Sequence, residues 1–314
     1  MMPHMGRASS GGDSWTSFAS STSLYHLAIP AVVVDGEKIL SGRRKEVRCI
    51  LFTLCNITAF RLAAFPGLVQ FRTLRRLIKG EDLTDSMRKL HDLASALDDM
   101  VFHCYIRAKS SRLTSIVRQG VLVGGYSWST AEYPTAAQSY VSEALLFLVF
   151  VHAEVTELMV EGTATSQIPS IQRQPLVRRV FEALVVDMMQ AMLDAFRMVD
   201  GFGEGGAMQA VLEVMVIKQT LDQYLTRESE ECIRLLYMYI HSTYKRTTAR
   251  AERSARSTSP TPSLQTEGTV NVDGVELTRQ QWAMLQSLAK EWARRTSIQF
   301  RCFQPADTPT SSDM

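Results

Sequence analysis

Hydrophobic positions along this chain recur at steps of three and four over most of its length, the period of one helix face. The pattern opens near Arg43, where Val47, Ile50, Leu51, Leu54, Ile57, Thr58, Arg61 and Leu62 share a face. Arg43, Arg44, Lys45 and Arg48 crowd that first turn and oppose the helix dipole, so the helix is expected to start earlier or to be compensated by Glu46. Pro66 and Gly67 then break the chain before a short basic helix at 68–79 and a long one at 83–108. The long helix carries Leu83, Met87, Leu90, Leu93, Ala94, Leu97, Val101, Cys104 and Tyr105 on one face, and burying that stripe is expected to hold it in place.

A helix or loop at 110–118 precedes GVLVGGYSWSTAEYP, whose Gly120, Gly124, Gly125 and Pro134 predict an ordered turn pinned to the core by Tyr126 and Trp128. The next helix is expected over 135–159, with Pro134 at its first turn and a seam of Tyr140, Ala144, Leu148, Val151, Val155 and Leu158. Another is expected over 176–199, through Val177, Val180, Leu184, Met188, Ala191, Ala195 and Met198. Phe181, Val185, Met192 and Phe196 widen its apolar face, which predicts a central position. Gly201–Gly206 stops it, and a helix over 207–224 follows, apolar at Val211, Val214, Met215, Leu221 and Tyr224. Thr226 is a plausible N-cap for a helix to residue 244, with Glu228 and Glu230 in its first turn. Thr278 with Gln281 forms a capping-box pattern, and the last helix places Trp282, Leu285, Leu288, Ala289 and Trp292 inward.

These elements predict an all-α fold, an elongated rod of stacked antiparallel helical bundles. The expected divisions are a disordered leader at 1–24, a helical bundle region at 25–244, a disordered polar loop at 245–274, a final helix packing on the bundle at 275–303, and a disordered tail at 304–314. The stretch at 25–34 can be a short strand or an extended lead-in, because Pro30 suits neither a helix nor a central strand. With 46% hydrophobic and 21% charged residues in 314, the chain can bury a substantial core. Its 34 basic and 32 acidic side chains nearly cancel, so charge argues for no nucleic-acid partner. Five cysteines without a CxxC pair argue against a disulfide framework or structural zinc, and fit a reducing compartment. Residues 1–24 lack a signal-peptide pattern, and no unbroken apolar run approaches the roughly 18 residues of a membrane span.

Chemistry is sparse. Gly201-Phe-Gly203-Glu-Gly205-Gly206 fits GxGxxG, but a helix rather than a strand precedes it, which makes it a glycine-rich turn between helices. Asp98-Asp99 lacks the further acid of a magnesium-binding DDxxD, since Phe102 holds that place, and reads as a solvated acidic face. His152-Ala-Glu154 has no PCxxC partner and reads as a histidine buried in the bundle. His103 and Cys104 point apart on a helix, so neither forms a nucleophile pair. Asn56-Ile-Thr58, a formal glycosylation sequon, falls in an amphipathic helix, and Met188, Met189, Met192 and Met198 read as core filling. No catalytic, cofactor-binding or metal-binding residue, and no cofactor, is therefore expected.

Several landmarks nevertheless fall in one order: Gly125-Tyr126-Ser-Trp128; Glu143-Ala144-Leu145 followed by Val151-His152-Ala153-Glu154-Val155; Gly206-Ala207-Met208-Gln209-Ala210-Val211-Leu212-Glu213; Tyr224-Leu225-Thr226-Arg-Glu228-Ser229; and Cys302-Phe303-Gln304. Together they resemble the C-terminal portion of the exocyst complex component two family, over about residues 44–303. The resemblance implies a subunit of the octameric tether that holds secretory vesicles at the plasma membrane before fusion, in Golgi to plasma membrane transport. It also implies a cytoplasmic protein, peripheral at sites of secretion, that works by contacts with other exocyst subunits, without catalytic residues or a small-molecule substrate. Animal members begin with an immunoglobulin-like domain that binds Ral GTPases and a long helical region, neither found in these residues, so Ral binding is not expected. The polar 245–274 segment departs from the family as an apparent insertion. The alternative reading is an unrelated all-helical adaptor or membrane-associated scaffold, touching an acidic membrane surface weakly through basic residues around 43–48 and 72–79. An all-helical enzyme is the third.

Overall fold

The computed structural model describes residues 36–61, 81–163, 173–255, 269–272 and 275–304. The expectations for 1–24, 25–34, 68–79 and 305–314 lie outside the described residues. Among those described, the fold is all-α apart from one small hairpin. Its helices are α1 (Gly36–Ala59), α2 (Glu81–Leu122), α3 (Ser139–Thr163), α4 (Arg173–Arg197), α5 (Glu204–Thr220), α6 (Arg227–Ala255) and α7 (Arg279–Thr296). Two short 3-10 turns, Asp222–Tyr224 and Arg301–Phe303, follow α5 and α7.

The interior lies between α2, α4 and α6, with α3 against α2 and α4 and α5 against α6 and α7. The seam expected on α3 is inside: Tyr140, Ala144, Leu148, Val151 and Val155 are all buried. So is the wide face of α4, from Val180 and Phe181 through Phe196, which explains why that helix touches α2, α3 and α6 at once. Met198 departs from the expected seam: α4 ends at Arg197, and the thioether beyond it is exposed. Helix α5 is buried still more completely, at every position from Gly205 to Ile217. By length and composition the Ser139–Glu157 stretch of α3 is apolar enough to cross a membrane, yet its seam packs inside the protein.

Besides the shifts of α4 to Arg173–Arg197 and of α5 to Glu204–Thr220, the boundaries differ from expectation at four places, each for a local reason. The segment 110–118 is a continuation of α2, which runs unbroken from Glu81 to Leu122. Helix α3 starts at Ser139, not beside Pro134, because the backbone of 136–138 serves α5 instead: Gln209 Nε2 donates to the Ala136 carbonyl at 3.1 Å, and the Gln138 backbone hydrogen-bonds Glu213. Helix α1 begins at Gly36, upstream of the Arg43 cluster, so those cations do not stand at its N-terminus.

The fourth difference is in the 245–274 segment, expected as a loop throughout. Helix α6 carries on to Ala255, its residues Lys, Arg, Ala and Glu being good helix formers whatever their polarity. Thr247 Oγ1 donates back to the Thr243 carbonyl at 2.9 Å and lies where Gly201 leaves room for it. Downstream, Thr269–Val272 and Val275–Thr278 pair as an antiparallel hairpin, Thr269 opposite Thr278 and Val272 opposite Val275. Residues 256–268 lie outside the described residues. Thr278 ends the hairpin and caps α7 through the expected reciprocal bonds with Gln281, and Thr226 with Ser229 does the same for α6.

Candidate interaction surface

The sequence landmarks meet in space, and the meeting is structural. After α2, Gly125 takes φ 75°, a conformation open to glycine, and turns the chain so that Trp128 enters the core. The indole donates to the Val121 carbonyl at 2.9 Å and lies edge-on to Phe196 and Phe202. The glycine-rich turn then packs against this loop. Gly203 N–H donates to the Trp128 carbonyl at 2.9 Å, and a Cβ on Gly206 would stand 1.9 Å from that same oxygen. GxGxxG is thus used for close backbone approach between the 128–132 loop and the start of α5.

Glu213, in the next landmark, is fully buried on α5. It accepts from Tyr140 Oη at 2.5 Å and from Gln209 Nε2 at 2.9 Å. Burial outweighs these bonds and raises its carboxyl to about 7, while the Tyr140 phenol is pushed well above its usual value by burial and by Glu213. His152 and Glu154 separate. The imidazole faces Phe181 at 5.6 Å and Phe303 at 6.3 Å, where burial lowers its pKa; the carboxylate accepts from Tyr105 Oη at 3.0 Å and Lys109 Nζ at 2.8 Å, tying α3 to α2. Phe303 closes the set by packing on Phe181 and Tyr224 as well.

The Asp98-Asp99 pair divides, which corrects the expectation of a solvated face. Asp98 is 1% exposed and takes Arg61 Nη1 and Arg179 Nη1, each at 2.6 Å, with Thr58 Oγ1 at 3.3 Å. Arg179 also reaches exposed Asp99 at 2.8 Å and lies 4.0 Å over the Phe102 ring. The sequon threonine, Thr58, is therefore spent on this ion cluster, and Asn56 is exposed. Met188, Met189 and Met192 are buried in the core. His103 and Cys104 are both exposed. Of the basic residues weighed for membrane contact, Arg48 lies 3.9 Å from Glu157, and 72–79 lies outside the described residues. Among the described residues no three His, Cys, Asp or Glu side chains gather as a metal set.

Among the described residues, one run of exposed apolar side chains open to a partner is the first half of α2. Of the stripe expected inside, Leu90, Leu93, Leu97 and Cys104 are exposed, with Met100 beside them, while Tyr105 is buried and Val101 packs against the core, because the neighbours of α2 cover the side that carries Asp98, Phe102 and Tyr105. Side chains of Leu83 and Leu158, and residue Leu62, lie outside those described.

Comparison with known proteins bears on what this architecture serves. The family model for exocyst complex component Sec5 matches residues 25–303, reaching further upstream than the landmarks do. Human exocyst complex component 2 is 29% identical over 134 residues, 43% of this chain and 13% of that protein. The mouse protein of the same name is 29% identical over 133 residues, 42% of the chain and 13% of its own length. The chain thus matches only a small part of these longer relatives, and no solved structure matches it. With the family model spanning most of the chain, and its landmarks closing on one another in a single core, the chain belongs to the exocyst complex component Sec5 family.

Proposed function

We propose that this chain is a helical contact module of the exocyst, helping to hold secretory vesicles at the plasma membrane before they fuse. In this reading its partners are other exocyst subunits, its place is the cytoplasmic side of sites of secretion, and no residue is catalytic and no cofactor required. The observation that carries the reading is the family match over residues 25–303. Physical support comes from where the polar chemistry lies: Glu213, Asp98 and Glu154 each hold elements of the core together, and the exposed apolar stripe on α2 leaves a surface for protein contact.

The test is capture of the tagged full chain from its own cells, with the co-purifying proteins identified. Recovery of several exocyst subunits above an untagged control is expected. Recovery of none, after gentle cross-linking that retains known assemblies, would overturn the proposal.

A further inference from the structure

A groove follows the first two turns of α5. Ala207, Met208 and Val211 line it from that helix, Ile240 and Tyr244 from α6, and Leu277 from the second strand of the hairpin. Glu204 to Val211 spans about 10 Å at the rise of an α-helix. The groove encloses about 230 Å³. That is less than the roughly 300–1,000 Å³ of a small-molecule pocket, and enough for one long side chain. Glu204 stands where it meets a second, more open hollow of about 460 Å³, lined by Ser129, Thr130 and Tyr133 among others.

The Glu204 carboxylate is exposed and held from two elements. Gln281 Nε2, at the start of α7, donates to Oε1 at 2.6 Å, and the Tyr133 side chain hydrogen-bonds the same group. The Tyr244 phenol, raised by burial, is raised further by the nearby Glu204 charge. A carboxylate accepts about four hydrogen bonds, so these two leave roughly half that capacity open. Among the described residues, and apart from His241, neither lining includes a basic side chain. The Ala131 and Glu132 backbone oxygens lie against Gly205, where a Cβ would stand 2.2 and 2.3 Å from them, so backbone oxygens also meet the positive end of the α5 dipole. The groove thus joins apolar walls to a positioned negative charge that no lysine or arginine of its described lining answers.

We propose that this groove receives an arginine side chain of another polypeptide. The aliphatic stem lies along the apolar walls, and the guanidinium pairs with Glu204 beside the Tyr133 and Tyr244 rings. Arginine suits the site better than lysine, because its planar head takes a carboxylate through two bonds, packs flat on an aromatic ring and is less strongly hydrated. An acidic segment is repelled by Glu204, and a purely apolar one would strip water from that carboxylate without replacing it. The inference rests on reading the chain as a contact module and names one kind of contact. Its probes are synthetic peptides, so it can fail while the exocyst assignment stands.

The experiment follows the full chain by NMR, isotopically labelled at its methionine methyl groups, as it is titrated with two peptides of about seven residues. Both are glycine and serine around one central residue, arginine in the first and its uncharged isostere citrulline in the second. The Met208 signal, assigned by its loss in Met208→Leu, should shift saturably, with the arginine peptide bound at least about fivefold more tightly. Glu204→Gln keeps an oxygen for Gln281 and should remove that preference without changing helicity or melting, since the position is exposed. Tyr133→Ala, at a side chain 54% exposed, should weaken the arginine peptide more than the citrulline one. Equal binding of the two peptides by the parent, or a preference that survives Glu204→Gln, would overturn the proposal. Tighter binding of the arginine peptide after Arg256→Gln would give the groove to the chain's own stretch between α6 and the hairpin, and would overturn it as a partner's site.

Discussion

The two halves of α2 obey one hydrophobic period and meet opposite fates. From Phe102 to Val121 the helix buries Phe102, Tyr105, Ile106, Leu113, Ile116, Val117 and Val121, whereas from Leu90 to Met100 it leaves four large apolar side chains exposed. In the second half α3 and α4 supply the cover, and Glu154 fastens Tyr105 and Lys109 from across the interface. In the first half the inward side is held by charge, through Asp98, and the apolar stripe turns the other way. Periodicity therefore reports that a helix has an apolar face, and leaves open whether the partner for that face belongs to the same chain.

The sharpest way to break this contrast is to shorten one leucine in each half. Leu113→Ala should destabilise the protein by roughly 2–5 kcal/mol in urea unfolding, through lost transfer energy and the cavity left behind. Leu93→Ala should change it by less than about 0.5 kcal/mol. A similar loss at both sites would mean that the first half is covered within the folded chain. At the junction, Asp98→Ala should cost on the order of 3 kcal/mol, because it strands Arg61 and Arg179, both partly buried, without their shared carboxylate. Asp99→Ala, which removes an exposed partner of Arg179 alone, should cost well under about 1 kcal/mol.

Carboxylates on buried and exposed surfaces extend the comparison. Burial holds the Glu213 proton up to about 7, while an unfolded chain releases it near 4.5, so between these values the folded state binds more protons. The contribution of Glu213 to stability is accordingly greatest below pH 4.5, declines as pH rises through the window, and levels off above 7, a change on the order of 3 kcal/mol. Glu213→Gln keeps an oxygen for the Tyr140 hydroxyl and should remove that dependence, as read by melting temperature between pH 5 and 8 relative to the parent. Glu291, on the surface of α7, is drawn down to about 2 by Arg294 and Arg295, and Glu291→Gln should leave the pH profile unchanged over that range.

Much of the core was legible because its determinants are local. The seams of α3 and α4 and the caps at Thr226 and Thr278 each depend on residues within a few positions of one another, and Trp128 was legible as a large aromatic beside a glycine turn. Asp98 was not legible: its burial depends on Arg61 and Arg179, which lie 37 and 81 residues away. The start of α3 was misplaced for the same reason, its backbone being claimed by Gln209 and Glu213 from α5. The hairpin did carry a signal, since Val-Asn-Val and Val-Glu-Leu alternate around Asp273-Gly274, a dipeptide favoured in tight turns. Reading 245–274 by its polarity alone obscured both that hairpin and the helical run to Ala255.

The exposed face of α2 as a place of assembly is tested most directly by capturing the tagged chain and its Leu93→Asp, Met100→Asp variant from the same cells, and measuring identified exocyst subunits against the bait. The account predicts equal helicity and melting for the two baits, with subunit recovery by the variant falling to less than about one-third of the parent's, a change that corresponds to under 1 kcal/mol in apparent affinity. Undiminished recovery of every subunit by a folded variant would contradict it.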